Sequence, residues 1–173
     1  EEKQQSAWSS AAKDGLLLAA FTIVFLLLAA VLKNQILITI LQIGKIAGCI
    51  WFLRYLMLKW YKSNKSFSLF KYGVMICLFS SIVCAIFSFF EFAYIFPDMV
   101  TEAFDQVYES LGSMAIPSES MDIITRMEDN YPQWACISAL ITDFLAGLIF
   151  SAIIANAHKS NENIFEEQND NVI

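Results

Sequence analysis

Three ionisable residues, Lys45, Glu91 and Asp143, lie inside long apolar stretches of this 173-residue chain. A charged side chain at the centre of a bilayer costs about 2.5–3.5 kcal/mol, so such residues are expected to pair with one another or to face water. Counted from the nearer ends of their stretches, Lys45 and Asp143 lie at the same depth, about 13–14 Å. We therefore expect the Lys45 ammonium to form a salt bridge with Asp143, with Glu91 as the second choice. This intramembrane cluster is either a structural pair that fixes helix register, a polar pathway, or a contact with a partner subunit or lipid phosphate.

Other residues of types found in catalytic or metal-binding sites lack the neighbouring residues that such sites need. The four cysteines have no CxxC spacing and are expected to behave as small hydrophobic residues in or beside the apolar stretches. His158 is the single histidine, at a predicted helix C-terminus where the helix dipole favours it. No nucleophile elbow, Gly-rich phosphate loop or zinc-ligand spacing is present. We therefore predict no catalytic residues, no cofactor and no metal, and a protein that is not an enzyme.

The elements that position these residues are four apolar stretches, each long enough to cross a bilayer. Hydrophobic residues make up 57% and charged residues 16% of the chain, against about 45–50% and 25% in soluble domains. The predicted spans are residues 15–32, 36–58, 73–96 and 134–157. The connection between the first two is so short that they must be antiparallel neighbours. We predict an all-α polytopic membrane protein with its four transmembrane helices arranged as two antiparallel hairpins.

Two glycines flank the intramembrane lysine. Gly44 and Gly48 are spaced four residues apart on either side of Lys45, and small residues at this spacing allow close approach of helix backbones. The pair predicts helix packing, either inside the monomer, which we favour, or at a dimer seam.

Charge differs sharply between the loops. Residues 59–71 contain four lysines and no acid, namely Lys59, Lys62, Lys65 and Lys71. Residues 97–133 contain eight acids and one base. The positive-inside rule places the basic loop and both termini in the cytoplasm, and no large basic face remains for a nucleic acid. The lysines could also bind anionic lipid or the acidic face of a soluble enzyme, although topology alone explains them.

The segments outside the spans have different expected structures. Residues 97–133 are predicted to form two short amphipathic helices on the outer surface, broken near residues 112–117, with Phe104 and Ile124 on their apolar faces. Their acidic faces suit a cover for the bundle or a contact with a protein. Residues 1–14 are predicted to be a cytoplasmic tail, either a short surface helix or partly disordered, and residues 160–173 a disordered acidic tail.

Short motifs add a family resemblance. The entry from Trp8 to Gly15, the short first turn, the Phe-Ser-Leu-Phe-Lys-Tyr-Gly opening at residues 67–73 and the acidic outer segment before a Pro-led last span occur together. Over residues 6–159 the chain resembles the bacterial membrane-protein family named domain of unknown function 4199. The resemblance implies a four-helix inner-membrane protein and, as a partner, a polyprenyl-phosphate sugar transferase. The family name carries no activity.

Two functions are consistent with these features. The first is a non-enzymatic anchor or accessory subunit in the bacterial inner membrane, acting on a membrane-associated enzyme or as a homo-oligomer. The alternative is a small transporter or lipid-flipping component that uses Lys45, Glu91 and Asp143. A water-filled cavity reaching these residues would favour the alternative.

Overall fold

The computed structural model describes residues 2–32, 34–112 and 118–170, with side chains described for 7–32, 34, 36–112 and 120–159. These residues form six α-helices and one π-helical turn, with no strand among them. The elements are α1 (Glu2–Val31), α2 (Gln35–Tyr61), α3 (Leu69–Phe90), the π-turn (Glu91–Ile95), α4 (Pro97–Gly112), α5 (Ser118–Asp129) and α6 (Tyr131–Asp170). The predicted all-α fold class is confirmed.

Four helices are long and apolar enough to cross a membrane: Ala7–Val31, Ile36–Tyr61, Leu69–Ile95 and Tyr131–Lys159. They overlap the four predicted spans, which are confirmed in number and order. The start of the second span is determined by a neighbouring side chain. The side chain of Asn34 accepts hydrogen bonds from the backbone N–H groups of Ile36 and Leu37, at 2.9 and 3.4 Å, and so caps the free donors of the first turn of α2.

Helix α1 begins at Glu2 and runs without a break into the first apolar stretch. Ala7 and Ala11 are fully buried, and the ring of Trp8 meets that of Phe79 edge to face at 5.8 Å. This segment packs against α3 because its alanines leave room for the larger side chains of that helix.

The chain divides into two compact units, of which the first contains residues 1–81 and 142–173. At its centre Tyr72 is fully buried, and its ring stacks on that of Trp60 with centroids 4.0 Å apart. Met57, Ile76 and Ile154 are buried in the same apolar cluster. The well-packed part of this unit therefore lies where the end of α2, the beginning of α3 and the later part of α6 meet.

The second unit contains residues 82–141. The two short helices predicted in the acidic segment are present as α4 and α5. The break between them is predicted near residues 112–117, and residues 113–117 lie outside the described part of the chain. The hydroxyl of Tyr108 on α4 donates a 3.0 Å hydrogen bond to Glu128 on α5. Phe104 and Ile124 are half-buried, which agrees with their predicted place on the apolar faces.

Helix α6 continues to Asp170, whereas the composition of residues 160–173 predicts a disordered tail. Between Lys159 and Asp170 there is no glycine or proline, so no residue in this stretch has the strong unfavourable helix propensity that ends a helix. The last three residues lie outside the described part of the chain.

Candidate functional site

Lys45 and Asp143 are brought together in the first unit. Lys45, in the middle of the second span, is half-buried, and Asp143, in the fourth span, is exposed on the surface of the chain. The carboxylate and the ammonium are close enough to attract each other electrostatically. Among the side chains that the structure describes, however, neither makes an ion pair with an N···O distance of 4.0 Å or less. The predicted direct salt bridge is therefore replaced, among the described side chains, by a longer-range electrostatic interaction.

Two further polar side chains lie beside this charge pair. Cys49, one helical turn after Lys45, is near enough to interact electrostatically with both Lys45 and Asp143. The Cys49 thiol also meets the hydroxyl of Thr22 on α1 at 3.4 Å. Thr22, Lys45, Cys49 and Asp143 thus form one polar group, called the intramembrane polar group below, with members from three spans. Thr22 and Cys49 are not among the predicted site residues, although Cys49 is four residues from Lys45 and therefore on the same helix face.

Glu91, the third predicted member of the cluster, belongs to the second unit. It is buried, with 7% of its surface exposed, and it begins the π-helical turn Glu91–Ile95. The backbone N–H of Phe96 donates to the Glu91 carbonyl at 2.7 Å, which closes this wide turn. Short π-helical segments inside α-helices are frequent at functional sites. Participation of Glu91 with the other two charges stays a prediction.

The two glycines that flank Lys45 have different surroundings. A Cβ atom added at Gly48 would lie 3.0 Å from the ring of Phe21, so Gly48 does allow close packing of α1 on α2. A Cβ added at Gly44 would have no atom within 4 Å. Gly44 lies on an exposed face of α2 with Ile43 and Ile46, so its packing role, inside the monomer or at a dimer seam, stays a prediction.

Close packing depends on other small residues, which the sequence analysis missed. A Cβ at Gly15 would come within 2.7 Å of Phe79 Cβ, and one at Gly147 within 2.5 Å of Cys77 Cβ. Both distances are shorter than the roughly 3.5–4.0 Å of an ordinary carbon–carbon contact. A sequence pattern could have indicated this packing, since small residues recur every four positions along α1 at Ala7, Ala11, Gly15 and Ala19. All four are buried in the structure.

The predicted basic loop is exposed at one end of the spans. The four side chains Lys59, Lys62, Lys65 and Lys71 are all exposed, and the ammonium of Lys59 lies 6.0 Å from the centre of the Tyr55 ring, within cation–π range. No group of three or more His, Cys, Asp or Glu side chains that could hold a metal ion occurs among the described residues.

These features define a multi-pass α-helical membrane protein with ionisable groups inside its spans. The family model described as "Protein of unknown function (DUF4199)" matches residues 13–160. The chain therefore belongs to this family, and the resemblance inferred from the motifs is confirmed. No curated protein matches the chain, and no solved structure matches it either.

Proposed function

We propose that this protein is a non-enzymatic accessory subunit that anchors a membrane-associated partner in the bacterial inner membrane. The proposed orientation has both termini and the basic loop in the cytoplasm. The family resemblance favours a polyprenyl-phosphate glycosyltransferase as the partner. The observation that carries the proposal is the exposure of Asp143 within an apolar span.

An exposed carboxyl group inside a span is unfavourable as long as lipid surrounds it. The cost is about 2.5–3.5 kcal/mol for an aspartate near the middle of a helix. Lys45 attracts this carboxylate without a direct ion pair among the described side chains, so within that part of the chain much of the hydrogen-bonding capacity of Asp143 is open to a further group. A partner helix with a polar side chain would supply that group, and the open surface at Gly44 would let its backbone come close.

The proposed orientation is supported by charge. The four lysines of the basic loop are exposed at one end of the spans, and lysines beside spans favour the cytoplasmic side. Asp98, Glu102, Asp105 and Glu109 of α4 are also exposed. This acidic surface would then be available on the outer side of the membrane.

Site-specific photo-crosslinking in the native membrane tests the anchoring function. A photoreactive residue at Ile46, beside Lys45, is compared with one at Leu16 on α1, since both positions are more than half exposed, at 52% and 58%. We expect a discrete protein adduct from Ile46 and none from Leu16, and loss of the adduct when Asp143→Leu is added. Adducts with lipid alone from both positions would contradict the proposal.

The alternative is a small transporter or lipid-flipping component, and the intramembrane polar group favours it as a second candidate. Polar side chains from three spans lie together at Lys45, Cys49, Thr22 and Asp143, an arrangement that suits an ion or proton pathway. Asp143→Cys distinguishes the two functions. Rapid reaction with a small water-soluble thiol reagent would indicate a water-filled path, whereas protection that is lost when the partner is removed would support anchoring.

A further inference from the structure

An open cleft lies at the basic end of the first unit, between the α2–α3 loop and the end of the fourth span. Its volume is about 520 Å³, within the roughly 300–1,000 Å³ of typical ligand pockets. The polar side chains that line it come from two segments distant in sequence. Lys65, Ser66 and Ser68 belong to the loop, and Asn156, His158 and Lys159 belong to α6. We call it the interfacial cleft.

Among the residues whose side chains the structure describes, the charges that line the interfacial cleft have one sign. Lys65 and Lys159 both line it, and neither residues 61–71 nor residues 155–159 contain an aspartate or glutamate. The two ammonium groups repel each other, and an anion placed between them is attracted by both, which offsets that repulsion. The hydroxyls of Ser66 and Ser68 and the amide of Asn156 add hydrogen-bond donors. This combination of charge and donors suits a phosphate group.

Backbone N–H groups at the start of α3 also favour an anion in the cleft. The carbonyl of Ser68 accepts the N–H of Tyr72 at 3.1 Å, so the helix begins at this wall of the cleft with Leu69. The first N–H groups of an α-helix have no partner within the helix, and they carry the positive end of its dipole. An anion in the cleft would therefore meet side-chain cations and a positive helix end together.

The cleft lies where two of the candidate spans end. Tyr61 ends the second span and Leu69 begins the third, and both residues line the cleft, so a bilayer around these spans would place lipid headgroups beside it. Phe70, which lines the cleft, is 39% exposed, and Ile153, about one helical turn before Asn156 on α6, is 58% exposed. A ligand with a phosphate headgroup and acyl chains could place its headgroup in the cleft and its chains along these side chains.

We propose that the interfacial cleft binds the phosphate group of an anionic phospholipid. Lys65 and Lys159 contact the phosphate from opposite segments, and Ser66, Ser68 and Asn156 donate hydrogen bonds to it. The ring of His158 packs edge to face on Tyr61 at 5.3 Å, which supports the α6 side of the cleft. This proposal depends neither on the anchoring function nor on the orientation in the membrane.

Native mass spectrometry of the purified full chain in detergent tests the proposal, with short-chain phosphatidylglycerol as the probe and short-chain phosphatidylcholine as the neutral comparison. Lys65→Gln and Lys159→Gln are expected each to weaken phosphatidylglycerol binding about fivefold, the factor for one lysine near an anionic surface. Lys62→Gln is the matched control, because Lys62 is exposed in the same loop but does not line the cleft. Asn156→Asp, which changes charge at constant size, is expected to weaken binding as well.

Competition with inorganic phosphate identifies the source of the bound group. Displacement of phosphatidylglycerol by phosphate would support a site for the soluble anion, and retention would support a site for the lipid headgroup. An equal loss of binding in Lys62→Gln and Lys65→Gln would overturn the proposal, since it would indicate diffuse attraction by the whole basic loop. Equal binding of phosphatidylcholine and phosphatidylglycerol would also overturn it. Thermal unfolding of each variant verifies that the fold is retained.

Discussion

The contact between α3 and α6 at Gly147 predicts a large effect from a single methyl group. In Gly147→Ala the new Cβ would lie 2.5 Å from Cys77 Cβ and 2.7 Å from Cys77 Sγ. Carbon atoms normally approach to about 3.5–4.0 Å, so α3 and α6 would have to separate by about 1 Å at this point. Overpacking of this kind costs about 1–3 kcal/mol.

Gly44→Ala is a matched control for this substitution. The same methyl group is added in a membrane-spanning helix, but no atom lies within 4 Å of the new Cβ. Alanine is about 1 kcal/mol more favourable than glycine in a helix, and this gain is common to both variants. The difference in unfolding free energy between Gly44→Ala and Gly147→Ala therefore isolates the overpacking, and we expect it to be about 1–3 kcal/mol.

The assay is unfolding in mixed micelles by increasing fractions of a denaturing detergent, followed by tryptophan fluorescence. Adding Cys77→Gly to Gly147→Ala removes the opposing Cβ and Sγ, so a coupling of about 0.5–3 kcal/mol between the two sites is expected. Equal stability of Gly44→Ala and Gly147→Ala would refute the packing of α6 on α3 described above. Simple additivity of the Cys77 and Gly147 substitutions would refute the contact itself.

Three further predictions concern the buried hydroxyl, the orientation and the intramembrane charges. Tyr72→Phe should lower the unfolding free energy by about 1–3 kcal/mol, since its hydroxyl donates to a carboxylate of α1 at 2.7 Å, whereas Tyr55→Phe, with an exposed ring, should leave it unchanged in the same denaturation assay. Ser63→Cys in the basic loop should resist an impermeant thiol reagent in intact cells and react after lysis; labelling from outside would reverse the proposed orientation. Lys45→Met and Asp143→Asn should each change stability by less than about 1 kcal/mol, because neither belongs to a direct ion pair with any side chain that the structure describes. Losses of about 3–5 kcal/mol, typical of a broken buried pair, would show that the two groups do meet.

The sequence by itself determined the four spans and the two short helices between the third and the fourth. The physical reason is local. A backbone in hydrocarbon must satisfy its own hydrogen bonds, so each long apolar stretch has to be a helix whatever its neighbours are. The short helices are equally local, because Pro97 suits a helix start and Gly112 a helix end.

The tertiary structure decided which residues of these helices meet. Span helices are apolar on nearly all sides, so their sequences do not specify their rotation about the helix axis. Gly44 and Gly147 therefore look alike in sequence, yet one is open and the other lies against Cys77. Equal depth in their spans likewise does not bring Lys45 and Asp143 into a direct ion pair among the described side chains, because depth leaves the rotation of each helix open.

The same reason explains why the interfacial cleft could not be predicted. Lys65 and Lys159 stand 94 positions apart in the chain (159 − 65), and only the approach of α6 to the α2–α3 loop makes them line one cleft. Likewise, Asp14 lies in a segment whose composition suggests a polar tail, and its hydrogen bond from Tyr72 exists because α1 packs against α3. Local sequence chemistry specified the helices of this protein, and contacts between distant segments specified its sites.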